Sequence, residues 1–187
     1  MKKRIMLSSI IIIAVLAAVH FFASRTLSFE VELVIQKNIN DVWEILGNQF
    51  TEPHIWASNF ITSKPGGSPK LPGLSYLHRA TTTENGDNWQ ELDDFDPANH
   101  SLSYHISKGI PSIAKSGIGT WKLTKINETT TRLNVDFKLV TKGLPGFVMS
   151  PVVSKKVGKA SDEIVEEFKY YVENEKPHPR KLEAMNK

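Results

Sequence analysis

The chain has 187 residues, enough for one domain with additions and a sizeable core. It has no cysteine, which excludes disulfide scaffolds, zinc-thiolate sites and cysteine nucleophiles and also suits an oxidising compartment. The net charge of +3 belongs to the N-terminus: without Lys2, Lys3, Arg4 and Arg25 the remainder holds 19 Lys and Arg against 20 Asp and Glu, so no basic stripe meets a row of phosphates and nucleic acid is not an expected partner.

The first element is the apolar run 5–23, "IMLSSIIIIAVLAAVHFFA", which follows "KKR". At about 1.5 Å per residue a helix of that length roughly spans bilayer hydrocarbon. The favoured reading is an uncleaved anchor with its basic end in the cytoplasm. The domain would then stand on the extracytoplasmic side of a cytoplasmic membrane as a single-pass protein. A cleaved signal peptide, giving a secreted or periplasmic protein, is the alternative; the run is long for one, and "FFAS" is a poor cleavage site. A buried core helix is the third reading. The expected division is 1–26 as membrane anchor or signal segment and 27–187 as the folded domain.

Phe29, Val31, Leu33 and Ile35 then alternate with Glu30, Glu32, Val34 and Gln36, the pattern of a strand dry on one face. "INDVWEILGN" predicts a short helix capped by Asn40 or Asp41, kept short by Gly47 and Pro53, with a second short helix over 50–57. Weaker strands fit 58–63, 73–83 and 87–96, separated by the loops "KPGGSPKLPG" and "ENGD". Clear alternation returns at Leu102, Tyr104 and Ile106, at Trp121 and Leu123, and at Leu133, Val135, Phe137 and Leu139; "NETT" joins the last two as a hairpin. Residues 151–175 carry Val157, Ile164, Val165, Phe168 and Val172 at helical spacing opposite Lys and Glu, and Pro177 and Pro179 end that helix. The expected architecture is α+β: a curved antiparallel sheet of about seven strands, two short helices, and a long C-terminal helix burying its stripe on the dry face.

This order, with several local strings, resembles the START-like helix-grip superfamily (SRPBCC), and within it the polyketide cyclase/dehydrase and lipid transport subgroup. The strings are "INDVWEILGNQFTEPHIW", similar to a "VWxxLxDFxxxxxW" opening, then "QELDDFDPANHSLSYHIS", "GIP" with "GIGTWKLTKINETTTRLNVDF", and "FKYYVENEKPHP". The resemblance covers about 28–180. It implies a deep apolar cavity between the sheet and the long helix, gated by loops. Members include lipid carriers, hormone receptors, aromatases and cyclases, so the fold does not dictate an activity. The N-terminal apolar run departs from many of them.

The candidate site follows from strand faces. Trp89, Glu91, Asp93 and Phe95 share one side of a regular strand; if that side is the dry one, Glu91 enters an apolar cavity and becomes an acid, base or ligand anchor. A bulge would instead turn the acids to solvent. Tyr76 and His78 share a face, as do Leu102 and Tyr104, and can orient a carbonyl or serve in proton transfer or simply brace the wall. The expected wall residues are Trp43, Trp56, Tyr76, His78, Trp89, Glu91, Tyr104, Trp121 and Phe137. "KGIPSIAKSG" (108–117) is the expected gate, with Phe147 and Met149 in "GLPGFVMSPVV" as a second cover. No His pair has metal-ligand spacing, there is no GxSxG, P-loop or GxGxxG, and neither a metal nor a cofactor is expected. The leading expectation is a membrane-anchored domain that binds or carries a hydrophobic small molecule or lipid. The competing ones are a cyclase or dehydratase using Glu91, His78 and Tyr104 on a polyketide-like or aromatic substrate, and a filled interaction domain with no cavity.

Overall fold

The computed structural model describes residues 23–186. The expected anchor, apart from Ala23, lies outside them. Among the described residues no helix is long and apolar enough to cross a membrane.

Strand β1 (Thr26–Ile35) leads into α1 (Ile39–Trp43), a π-helical turn at Glu44–Asn48 and a 3₁₀ turn at Pro53–Ile55. The helix cap is Asn38, two or three residues earlier than the sequence reading placed it: its side-chain oxygen accepts from the Asn40 and Asp41 amides, both at 3.0 Å. Strands β2 (Thr62–Gly66), β3 (His78–Thr83), β4 (Gly86–Asp96), β5 (Ser101–Lys108), β6 (Ala114–Asn127) and β7 (Thr130–Thr141) follow, then α2 (Gly143–Asn174) and α3 (Pro179–Met185). The sheet is a seven-stranded antiparallel meander in the order β1-β7-β6-β5-β4-β3-β2, with β1 returning to pair with β7. Phe29, Val31, Leu33 and Ile35 stand opposite Phe137, Val135, Leu133 and Thr131. Both strands therefore turn the same alternate residues to the concave face, as their sequence patterns require.

The long helix differs from expectation at both ends. It starts at Gly143, not 151, so "GLPGFVMSPVV" is helix and Pro151 sits inside it. Pro151 has no N–H to give the Phe147 carbonyl one turn back. The Ser150 hydroxyl donates to that carbonyl instead, at 2.8 Å. At the other end Glu175 turns left-handed (φ 55°) and stops the helix, whereas Pro179 opens α3 instead of ending anything. His178 caps α3 through Nδ1, which accepts from the Arg180 amide at 3.2 Å.

Helix α2 crosses the concave face as an arch held at both ends. Its C-terminal half is packed down: Ile164, Val165, Phe168 and Val172 are buried, and the Phe168 ring meets Trp56 and Trp121 edge-on at 5.2 and 5.7 Å. A buried carboxylate locks the same half. Glu167 accepts from the Ser58 amide (2.8 Å), the Ser58 hydroxyl (2.7 Å) and Arg180 Nε (2.8 Å), tying the loop before β2, α2 and α3 together. At the N-terminal end the Lys142 amide donates to the Ile113 carbonyl at 2.7 Å. There Gly146 passes so close that a Cβ would lie 2.5 Å from the same carbonyl oxygen. The expected gate, 108–117, is thus partly the end of β5 and the start of β6, and its turn is the abutment of the arch.

Candidate functional site

The interior is neither wholly hollow nor wholly filled. Beneath the C-terminal half of α2 it is closed by Trp56, Leu102, Trp121, Leu133 and Phe168, leaving a void of only about 10 Å³ beside Arg79. Beneath the middle of the arch a cleft of about 420 Å³ opens, within the range that takes a small organic ligand. From the sheet, Tyr104, Ile106, Phe137 and Leu139 form its floor; from the helix, Val157, Ala160, Ser161 and Ile164 form its roof. Gly119 makes the floor possible: it faces Tyr104 across β5 and β6, and a Cβ there would lie 2.6 Å from the phenol ring.

One wall is polar and ordered. Arg79 is 5 % exposed, and among the described residues no carboxylate pairs with it. Its Nε donates to Gln90 Oε1 at 2.7 Å and its Nη1 to the Phe50 carbonyl at 2.9 Å. The guanidinium lies 4.2 Å from the Phe50 ring centroid, 5.1 Å from Tyr104 and 5.6 Å from Phe60, an aromatic box in place of a counter-ion. Burial pushes its pKa below the ordinary arginine value, while the adjacent Tyr104 and Tyr76 pull it back up. Tyr76, stacked on Phe50 at 6.3 Å, is itself raised by burial, against the opposing pull of Arg79.

This cation sets the polarity of the cleft wall. Arg79 only donates, so the Gln90 carbonyl must face it and the Gln90 amide nitrogen must face outward along the wall, where it reaches Asn88 Oδ1 at 3.2 Å. The Thr81 hydroxyl donates to the same Asn88 oxygen at 2.9 Å. The Tyr104 ring lies beside the guanidinium, 5.1 Å from centroid to Cζ, and its hydroxyl reaches over Gly119. Gln90, Asn88 and Tyr104 all line the cleft. The wall therefore offers N–H donors backed by positive charge, opposite an apolar roof.

Among the residues expected at the wall, Tyr104 and Phe137 line the cleft, and Trp56 and Trp121 line the small closed void. Trp43 lies deep in the core against Phe95 and His100, away from any mouth. Tyr76 precedes β3 and braces the aromatic box. His78, Trp89 and Glu91 belong to the convex side. His78 pairs with Glu91 across β3 and β4, its ring stacks on Trp89 at 4.6 Å, and Glu91 bonds to Lys70 at 2.8 Å. The Lys70 hydrogen bond holds the Glu91 carboxyl below the usual carboxylate range. The physical reason is a bulge. The β4–β5 register shifts between Leu92 and Asp94, so Gln90 and Leu92 face inward before it and Phe95 after it. Asp93 is left outside, 2.7 Å from His105 Nδ1. Glu91, His78 and Tyr104 thus lie on opposite faces of the sheet and form no acid–base set. Glu91→Gln is expected to leave uptake of an apolar fluorescent probe unchanged, as measured by titration. No cluster of metal-ligating side chains occurs among the described residues.

Sequence reasoning missed Arg79 and Gln90; the roof residues Val157 and Ile164 were expected on the helix stripe facing the sheet but were not named as site residues. A lone Arg in the weak strand 73–83 reads as a solvated face, and only the pairing of Arg79 with Gln90 reveals that it points inward.

The family model for polyketide cyclase/dehydrase and lipid transport proteins matches residues 26–173. No curated protein matches the chain. Among solved structures, a START superfamily protein from Mycobacterium smegmatis superposes with a TM-score of 0.64 at 14 % identity, covering 79 % of this chain and 97 % of its own. The Zhui aromatase/cyclase from Streptomyces sp. R1128 gives 0.59 at 14 %, covering 82 % and 100 %. A truncated norcoclaurine synthase from Thalictrum flavum gives 0.58 at 11 %, covering 81 % and 96 %. At these identities the neighbours share the fold alone. The matched region takes in every strand and nearly all of the arch, and the chain belongs to the polyketide cyclase/dehydrase and lipid transport family, with the START-like helix-grip fold.

Proposed function

We propose that the domain binds a hydrophobic small molecule or lipid whose body lies under α2 and whose head carries hydrogen-bond acceptors. The observation that carries this reading is the polar wall: Gln90, oriented by a buried arginine without a carboxylate partner, and the Tyr104 ring beside that arginine face a cleft with an apolar roof. Burial of apolar ligand surface, at about 25 cal/mol per Å², drives entry. The wall favours a carbonyl or carboxylate over an amine, because the Gln90 amide donates along it and the buried Arg79 sets a positive potential behind it. The apolar run 5–23 supports anchoring at a membrane, with the domain on its extracytoplasmic side, and a protein held there would take its ligand from lipid or pass it to lipid. Carriage is favoured over turnover because the cleft brings together donors and a cation but no carboxylate or imidazole to act as a base.

The test compares a long-chain fluorescent carboxylate with an alkylammonium of equal length. The carboxylate is expected to bind and the ammonium not to bind. Ala160→Trp, which fills the roof from a helix position, is expected to abolish uptake of the carboxylate without a change in unfolding midpoint. Gln90→Leu is expected to weaken the carboxylate about tenfold, the loss of one hydrogen bond to a charged group, and to spare a wholly apolar probe. Equal binding of carboxylate and ammonium, or full uptake by Ala160→Trp, would overturn the reading.

A further inference from the structure

The N-terminal half of α2 carries an apolar surface that no described element covers. Leu144, Phe147, Met149 and Val152 are each at least one-third exposed, and Val148 is 66 % exposed. Leu144, Val148 and Val152 recur every fourth residue and so form one stripe, which Lys155 and Lys159 continue along the same line. The charge around it is one-sided. Residues 137–161 hold five lysines, Lys138, Lys142, Lys155, Lys156 and Lys159, and no Asp or Glu. The helix beyond reverses sign, with Asp162, Glu163, Glu166, Glu167, Glu173 and Glu175 against Lys169.

The chain enters the domain beside this surface. The Arg25 amide donates to Thr141 Oγ1 at 2.8 Å, its Nη1 donates to Ser150 Oγ at 3.0 Å, and its guanidinium lies 5.2 Å from the Phe147 ring centroid. In sequence the apolar run 5–23 ends two residues before this Arg25 contact.

We propose that this half of α2 is a docking face for an anionic phospholipid bilayer, with Leu144, Phe147, Val148 and Val152 in the headgroup layer and the lysines on lipid phosphates. Three observations select a bilayer. The apolar stripe itself carries no acid and is flanked by five lysines; Lys138 pairs with Asp136 and Lys159 with Glu163, and Lys142, Lys155 and Lys156 complement anionic headgroups. The stripe and its lysine continuation run about 22 Å along one helix, a linear surface suited to lying in an interface plane. The only long apolar run of the sequence leads directly to it. Lys156 belongs to the basic stretch and also lines the cleft, so docking brings the ligand site to the lipid surface. This last step rests on the proposed binding function; the docking face itself does not.

The absence of cysteine makes a single introduced thiol a unique label site. The full chain carrying Val148→Cys, or Val152→Cys as a second variant, is labelled with a polarity-sensitive fluorophore. It is reconstituted with vesicles of phosphatidylcholine and phosphatidylglycerol containing a headgroup-level spin-labelled lipid. Glu128→Cys, on the β6–β7 hairpin and about 36 Å away along β7, is the control. The expected result is loss of most emission and a blue shift for the Val148 and Val152 probes and neither for the Glu128 probe. Replacement of Lys155, Lys156 and Lys159 by Glu should abolish the difference. A Val148 probe quenched no more than the Glu128 probe would overturn the proposal. So would a blue shift that grows with protein density but ignores the lipid quencher, which means a second copy covers the face. A shift that persists unchanged in dilute detergent would also overturn it, because the N-terminal run then covers the face. Release of the chain by alkaline carbonate, from vesicles on which the Val148 probe is quenched at neutral pH, would remove the anchor and leave the docking face standing. Failure of carboxylate uptake with quenching intact would remove only the ligand reading.

Discussion

Phe168→Ala is expected to lower the unfolding free energy by about 3–5 kcal/mol, read from the urea midpoint. The side chain is fully buried, and its ring is the one contact shared by Trp56, from the turn before β2, and Trp121, at the centre of the sheet. Truncation removes the transfer free energy of the ring and leaves a hole. What decides the size of the effect is whether the hole can collapse. Both indoles are buried, and Trp121 is also held edge-on by Phe137 at 5.7 Å. They cannot swing into the space without leaving other partners, so the cavity persists and the upper part of the range applies. A loss below about 1.5 kcal/mol would mean the closed half of the interior repacks freely.

Glu167→Ala is the second large effect, with an expected loss of about 3 kcal/mol. The carboxylate is 1 % exposed and takes three hydrogen bonds from two segments, two from Ser58 and one from Arg180. Its removal leaves the Ser58 amide and hydroxyl without their acceptor and strips Arg180 of its buried partner. Arg180 keeps Glu166, at 2.6 Å, but that pair is solvent-exposed and compensates little. Glu167→Gln separates charge from geometry. Its carbonyl oxygen can still accept from Ser58, so the expected loss is smaller than for alanine. Identical losses for the two variants would show that the charge on Glu167, and not the hydrogen bonds to Ser58, holds the segments together. Chemical unfolding of both variants beside the parent chain supplies the comparison.

The elements were legible wherever one face was wet and the other dry. β1, β5 and β7 announced themselves by alternation, and the C-terminal half of α2 by the spacing of Ile164, Val165, Phe168 and Val172. The start of α2 was not legible, because Leu144, Phe147, Val148 and Val152 point outward, and an apolar residue without a burial period reads as loop. α3 was missed because a proline after a helix signals a stop, while Pro179 follows a capping histidine and starts a new one. The site suffered from a single residue of register. Alternation carried through Asp93 puts Glu91 on the same face as Phe95; the bulge there moves Glu91 outside and Gln90 inside. A bulge leaves no mark in a strand already rich in acids. Arg79 escaped for a related reason: its inward direction is set by pairing with Gln90 and its stability by three rings far apart in sequence.

Pro151 has a mechanical meaning. A span fastened at Gly146 and again from Ile164 onward bends between its fastenings, and a rod flexes where its internal ladder is weakest. The rung from residue 151 to residue 147 cannot exist, and a serine hydroxyl that also holds Arg25 stands in its place. That weak point is thereby wired to the strand that begins where the N-terminal run ends. A tug on that run would loosen the rung, and the amides of 152–160 should exchange with deuterium sooner than those of 164–172.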